Sequence, residues 1–289
     1  MSTMLRFGDN GLAPKFMTMD ELKNAVPVAF KTKPTNPKVS ERYQITETET
    51  IVNDLGKMGW YPVEAKQCRG KKGSSGIRSF HMIAFQNPDC CIYKQVADGT
   101  KMIDTFPRII LTNSHDGFNS FKFMVGLFRL VCSNGLCISD GEFERVSVRH
   151  TYTFEFLRTV VDTAISRVPE IAAKMTQMKN TEVTHEQKVE LATEVMKIRK
   201  GVEEEEKFDI DADTIMEILQ PKRPEDNSDD LWTVFNVCQE KMIKGGFSTI
   251  GKNDKIRKQR AITSVKKDLD YNRRLWEFAM RYMPATNAA

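Results

Sequence analysis

Asn113, His115 and Asp116 are crowded into the string Thr112-Asn113-Ser114-His115-Asp116-Gly117. Downstream, Arg129, Cys132, Ser133, Asn134 and Gly135 interrupt a second apolar run, 128–136. These side chains admit nucleophilic chemistry, with Cys132 attacking and His115 taking its proton. The pairing needs the two groups within hydrogen-bond reach, which chain order does not establish. Cys132 also sits in an apolar stretch, where cysteine ordinarily serves as a small inert core residue. His-Asp-Gly after a strand is equally the chemistry of a tight turn: Asp accepts backbone N–H bonds and Gly tolerates positive φ. The turn reading leads, so no catalytic residue is assigned.

Metal and nucleotide chemistry are weaker still. Cys132 and Cys137, with Cys90, Cys91 or His81, lack the two tight ligand pairs of a structural zinc site, so no metal or cofactor is expected. Gly246-Phe247-Ser248-Thr249-Ile250-Gly251-Lys252-Asn253 nearly spells a phosphate-binding loop. Asn253 stands where a Ser or Thr should hold Mg²⁺, and a helix rather than a strand precedes the string. Gly245-Gly246 is better read as the stop of that helix.

Basic side chains offer more. Arg69, Lys71, Lys72 and Arg78 surround the glycine-rich stretch 70–76, and Lys252, Lys255, Arg257, Lys258, Arg260, Lys266 and Lys267 cluster before and within the start of the last helix. Lysines and arginines on a loop can follow a phosphate backbone, with affinity falling as salt rises. Trp60, Tyr61 and Phe80 could stack on single-stranded bases, although each is more simply a core residue.

The elements that must carry these groups follow from periodicity. Residues 1–40, with Pro14, Pro27, Pro34 and Pro37, form an extended N-terminal arm holding one short helix near Met19–Ala25. Ile51, Val52, Leu55 and Met58 share a helix face within 46–58. Strands are expected at 61–69 and 77–85, forming a hairpin about the glycine-rich tip, and at 106–112, 121–132 and 143–150. Ser133-Asn134-Gly135 supplies turn chemistry. Both alternating sets of 121–132 are largely apolar, which places that strand centrally with both faces covered.

After residue 150 the period becomes helical. A stripe from Leu157 to Met178 contains Pro169, which predicts a kink. Thr184 and Gln187 make a capping box for a helix ended by Gly201. Further helices are marked by Leu231–Met242 and Ile262–Met283, and Asn272 interrupts the last apolar stripe. If buried it needs partners and could anchor a polar network to the strand domain. The fold class is α+β: a strand-rich antiparallel core over about 60–150, then a helical C-terminal half. The domain reading is an arm (1–40), an α+β core (41–200), an acidic linker-like segment (201–230) and a basic helical region (231–289) packing on the core.

Hydrophobic content of 40% and charged content of 28% fit a soluble globular chain. No apolar run is long enough to span a bilayer, and the N-terminus lacks a secretory pattern, so no membrane partner is expected. Six scattered cysteines fit a reduced cytoplasm. The net charge of +4 conceals an asymmetry. Residues 203–230 hold twelve acidic and three basic side chains, whereas 241–274 hold eleven basic and three acidic. The switch fits either a nucleic-acid surface beside a repelling segment or two helix faces that neutralise each other.

The His115-Asp116-Gly117 to Cys132-Ser133-Asn134-Gly135 stretch resembles the signature of the phage/plasmid-like family termed domain of unknown function 932. Ser40–Ile45, Gly59–Val63, Leu231–Asn236, Arg260–Ile262 and Asn272–Trp276 extend the resemblance over roughly 12–284. Asn113, His115, Asp116, Gly117, Arg129, Cys132 and Asn134 are the family-signature positions, and the resemblance carries over no catalytic role for them. It implies a setting in phages, prophages or conjugative plasmids and a location in the bacterial cytoplasm. The element order broadly resembles that of phage single-strand annealing proteins, some of which form homo-oligomeric rings. The leading expectation is therefore a non-enzymatic, ATP-independent single-stranded DNA-binding or annealing accessory protein. The alternatives are a module that binds a host or phage protein to counter host replication or defence, and a small enzyme using Asn113, His115 and Asp116.

Overall fold

A computed structural model describes residues 15–40, 45, 47–68, 79–95, 101–119, 121–129, 134–138, 153–203, 208–250 and 255–284. The N-terminal half opens with helix α1 (Met19–Ala25), where Thr18 and Glu21 form a reciprocal capping box. A short 3₁₀ turn (Pro27–Phe30) follows, then α2 (Thr48–Lys57) with Ile51, Val52 and Leu55 buried. Six strands come next: β1 (Tyr61–Gln67), β2 (His81–Gln86), β3 (Ile92–Gln95), β4 (Lys101–Asn113), β5 (Lys122–Arg129) and β6 (Asn134–Ile138).

They build one antiparallel sheet of order β1-β2-β4-β5-β6, with β3 also pairing to β4. The long β4 organises it. β3 covers its first part, from Lys101 to Thr105, and β2 its last, from Arg108 to Asn113. Pro107 falls at the break between these partners, a position that accommodates a residue without an N–H. Every residue from Thr105 to Asp116 is buried. Both faces are therefore covered, as at a sheet centre, with Phe106, Ile109, Ile110 and Leu111 buried beside Arg108, which pairs with Glu64. Phe123 and Met124, adjacent on β5, are also both buried, in keeping with the reading of that strand. Asn134 and Gly135 open β6 opposite Arg129 and Phe128 instead of forming a turn. The strand read at 143–150 lies outside the described residues.

Trp60 and Phe80 are buried, so both are core residues and not stacking platforms, while Tyr61 packs its ring 5.3 Å from that of Phe16. The arm is docked on the sheet: Leu22, Val26 and Ala29 are buried, and the Met17 N–H donates to the Pro62 carbonyl at 2.7 Å.

The chain divides into two compact units, Met1–Val168 and Pro169–Ala289. Helix α3 (Phe154–Lys179) runs across the division with Pro169 inside it. The second unit continues with α4 (His185–Lys200), α5 (Ala212–Leu219) and α6 (Leu231–Lys244). A small hairpin of β7 (Ser248–Ile250) and β8 (Ile256–Lys258) leads to α7 (Val265–Ala279). The Thr184–Gln187 capping box opens α4, and Gly201 closes it in the left-handed conformation. The acidic stretch contains α5, whose N-cap Asp211 accepts the Thr214 N–H at 2.7 Å. Helices α4, α6 and α7 pack mutually, and Leu231 to Met242 of α6 are all buried.

Asn272 is 1% exposed, and its partners lie within this unit. Its Oδ1 accepts from Gln239 Nε2 at 2.6 Å, and its Nδ2 donates to the Asp268 carbonyl at 2.8 Å. The network ties α7 to α6, where the sequence had pointed to the strand domain. Asn272→Ala is expected to lower stability by about 1–3 kcal/mol, because it strips a buried amide of its acceptor. Urea unfolding followed by circular dichroism measures it.

Candidate nucleic-acid interface

The signature turn at the end of β4 is a knot of short hydrogen bonds. Asp116 Oδ2 accepts the Ser79 N–H and Oδ1 accepts the Phe118 N–H, both at 2.9 Å. The His115 N–H donates to Ser79 Oγ at 2.7 Å, and the Thr35 N–H donates to the His115 carbonyl at 2.8 Å. Asn36 Nδ2 adds a bond to the Asp116 carbonyl at 3.1 Å. Burial opposes ionisation of Asp116, but bonds from Ser114, Ser79 and Phe118 outweigh it and hold the carboxyl below its usual range. Gly117 has φ +76°, and a Cβ there would stand 2.8 Å from Val39 Cγ1. The turn is thus the cradle on which residues 35–39 lie.

His115 and His81 fill the interior beneath it, edge to face with ring centroids 5.4 Å apart. His81 is wholly buried and its Nδ1 donates to the Ser79 carbonyl at 2.8 Å, which leaves Nε2 as the unprotonated nitrogen without a partner. Burial, aided by the neighbouring imidazole, pushes His81 down to about 4. Burial likewise lowers His115, with the Lys31 backbone and Asp116 pulling the other way. A general base must meet its substrate. Here His115 is 1% exposed, and both oxygens of Asp116 are occupied by backbone N–H groups. Among the described residues no group of three or more His, Cys, Asp or Glu could hold a metal ion.

Solvent-facing chemistry gathers instead in the second unit. Helix α6 stops at Gly245 (φ +67°), where a Cβ would lie 2.5 Å from the Gln259 carbonyl oxygen. That glycine lets the two ends of the hairpin close against each other. The Gly246 N–H donates to the Gln259 carbonyl at 3.0 Å, and the Gln259 N–H donates to the Phe247 carbonyl at 2.8 Å. Arg199, from the end of α4, clamps this base. It donates to the carbonyls of Met242 and Arg260 and lies over the Phe247 ring. Glu217 Oε2 accepts the Ser248 N–H at 2.7 Å, and Thr249 accepts from Gln259 Nε2 at 2.8 Å.

From this anchored base the hairpin projects Lys255, Arg257 and Lys258, all exposed, as are Arg260, Lys266 and Lys267 beyond it. Among the described residues, Lys255, Arg257, Lys258, Arg260 and Lys267 form no ion pair with a side chain. Acidic groups of the 203–230 stretch find other partners: Asp226 meets Arg223 at 2.7 Å, and Asp229 meets Lys188 at 2.6 Å. Lys266 and Lys267 stand in the first turn of α7, the positive end of the helix dipole, where cations are unfavourable and anions attracted.

Five of the sequence-derived cations, Arg69, Lys71, Lys72, Arg78 and Lys252, lie outside the described residues, as does Cys132. Arg129 and Asn134 face each other across β5 and β6. The hairpin has no legible period in the sequence, because its strands are three residues each.

The profile of the family described as Domain of unknown function (DUF932) matches residues 37–276. Two Escherichia coli (strain K12) proteins are similar over 268 residues: UPF0380 protein YafZ at 31% identity and UPF0380 protein YfjQ at 30%. Each alignment covers 91% of this chain and 90% of the relative. No solved structure matches the chain.

Two measurements probe the turn. Gly117→Ala is expected to destabilise by about 1–3 kcal/mol through left-handed backbone strain and the Val39 contact, read by urea unfolding. His81 is neutral when folded and protonates more readily when unfolded. Its contribution is therefore fully present above pH ~6.5 and lost as pH falls toward ~4, amounting to on the order of 3 kcal/mol. Stability measured from pH 7 to 4 should fall across that window, and His81→Gln should flatten the slope. The Asp116 contribution is lost only at lower pH, as the carboxyl takes up its proton.

Proposed function

The chain belongs to the DUF932 family, and from the chemistry of its surface we propose that it binds single-stranded DNA as an ATP-independent accessory to strand annealing. The observation that carries this reading is the set of exposed cations, without an ion pair among the described residues, on a hairpin whose base is held by Arg199, Gly245 and Glu217. Arg223, by contrast, is partly buried and is held by Asp226 and Glu240. Exposed cations on an anchored element are suited to phosphates, and the helix end bearing Lys266 and Lys267 adds to the same field.

Helix α6 is buried from Leu231 to Met242 and is not available to enter a major groove. A two-stranded arm with cationic side chains can instead track a flexible backbone while the bases stay free to pair. Nucleotide hydrolysis is disfavoured because Ser248–Ile250 of the near phosphate-loop string forms a strand that follows α6 and pairs with β8. A phosphate loop needs a strand before it and a helix immediately after it.

Binding of a labelled oligothymidine to the full chain, titrated against salt, tests the proposal. Affinity should fall steeply as salt rises. The Lys255→Ala/Arg257→Ala/Lys258→Ala variant should show a log–log salt slope shallower by about 2, at roughly 0.7 per lost phosphate contact. No binding at low salt, or an unchanged slope in the triple variant, would refute it.

A further inference from the structure

Ile250 and Ile256 face each other directly across the hairpin, and they are 50% and 75% exposed. Two β-branched apolar side chains side by side in water are an uncommon arrangement at the end of a small sheet, where a polar pair would serve stability as well. The alternation of the strands explains their common side. Thr249, one residue from Ile250, turns inward, is 4% exposed and bonds to Gln259. Ile250 therefore points away from the unit, with Ile256 opposite and Lys258 two residues along the same face. Lys255 and Arg257 flank Ile256 in the chain.

We propose that Ile250 and Ile256 form an apolar wedge that packs against the unstacked bases of a bound strand, while Lys255, Arg257 and Lys258 hold the adjacent phosphates. The proposal rests on the single-strand reading above and assigns the part of the ligand that reading leaves uncontacted. Charge selects the occupant. An apolar pair with Lys258 on its own face, and with Lys255 and Arg257 beside Ile256 in the chain, meets like charge on a second copy of the same hairpin, whereas nucleic acid presents apolar base faces on an anionic chain. Apolar side chains inserted between bases beside cationic phosphate contacts are an established way for proteins to grip nucleic acid. Because both residues are exposed, replacing them removes little that holds the fold together.

The test uses the full chain, an oligothymidine and an abasic strand of equal length, each labelled for fluorescence anisotropy. The wild-type chain is expected to bind oligothymidine about tenfold or more tightly than the abasic strand, the scale of burying two aliphatic side chains. Ile250→Ser/Ile256→Ser should lose that preference, keep its affinity for the abasic strand and retain the wild-type salt slope. Ile250→Val/Ile256→Val should restore most of the preference. If the serine variant binds oligothymidine as tightly as wild type while the triple cation variant is weakened, the wedge is wrong and single-strand binding stands. If wild type binds neither strand, both fail together. If the serine variant instead converts an oligomer to a monomer in light scattering and leaves the base preference intact, the pair is a self-association contact and the wedge is overturned.

Discussion

The turn built on the Asp116 carboxylate joins three parts of the first unit that are far apart in sequence. One oxygen takes the N–H of Ser79, at the approach to β2, and the other takes the N–H of Phe118, closing the turn after β4. The backbone it shapes presents the carbonyls of His115 and Asp116 to Thr35 and Asn36. A buried carboxylate is costly unless its lone pairs are satisfied. Here the satisfaction comes from the N–H groups that would otherwise be buried without acceptors. The register of β2 on β4, the path of the turn and the docking of residues 35–39 are therefore interdependent. Polar residues accumulate in this stretch because it is a junction. The same density of polar groups is what gives it the outward look of an active site.

An analogous device serves the second unit. Arg199 directs its guanidinium to two backbone carbonyls and an aromatic face, so it positions backbone, whereas Lys255, Arg257 and Lys258 present charge to solvent. Partial burial disfavours the charged form of Arg199 and lowers its pKa, with Tyr271 pulling the other way. With the base of the hairpin held at Met242, Phe247 and Arg260, the strands can carry exposed cations and apolar side chains on a fixed support. Binding residues are commonly displayed in this way, on short segments set by a rigid scaffold. Each unit thus devotes one ionic group, Asp116 in the first and the partly buried Arg199 in the second, to fixing a turn, and in the second that turn carries exposed charge.

Much of the secondary structure was legible because it is local. Thr18 with Glu21 and Thr184 with Gln187 announce helix starts, Gly201 and Gly245 announce stops, and the spacing of Ile51, Val52 and Leu55 marks an amphipathic face. What escaped is short or masked by composition. Strand β3 is four residues long and β7 and β8 three each, below the length at which alternation is visible. Helix α5 lies within an acidic stretch whose charge suggested a linker, although Ile218 is fully buried. Of the candidate site, the cations 255–267 were visible by type. Their display on an anchored hairpin was not.

The sequence by itself determined the α+β class, the family resemblance, the helix limits and the turn chemistry of His115-Asp116-Gly117. Each depends on residues a few positions apart, whose propensities and caps act without the rest of the chain. Only the tertiary structure decided which side chains meet. Ser79 lies 37 residues from Asp116 and Thr35 lies 80 from His115, and such pairings follow from strand register and packing, which no local pattern encodes. It likewise separated His115, sealed in the interior, from Ile250 and Ile256, left in water. Burial is a property of what covers a residue, and that covering is supplied by distant parts of the chain.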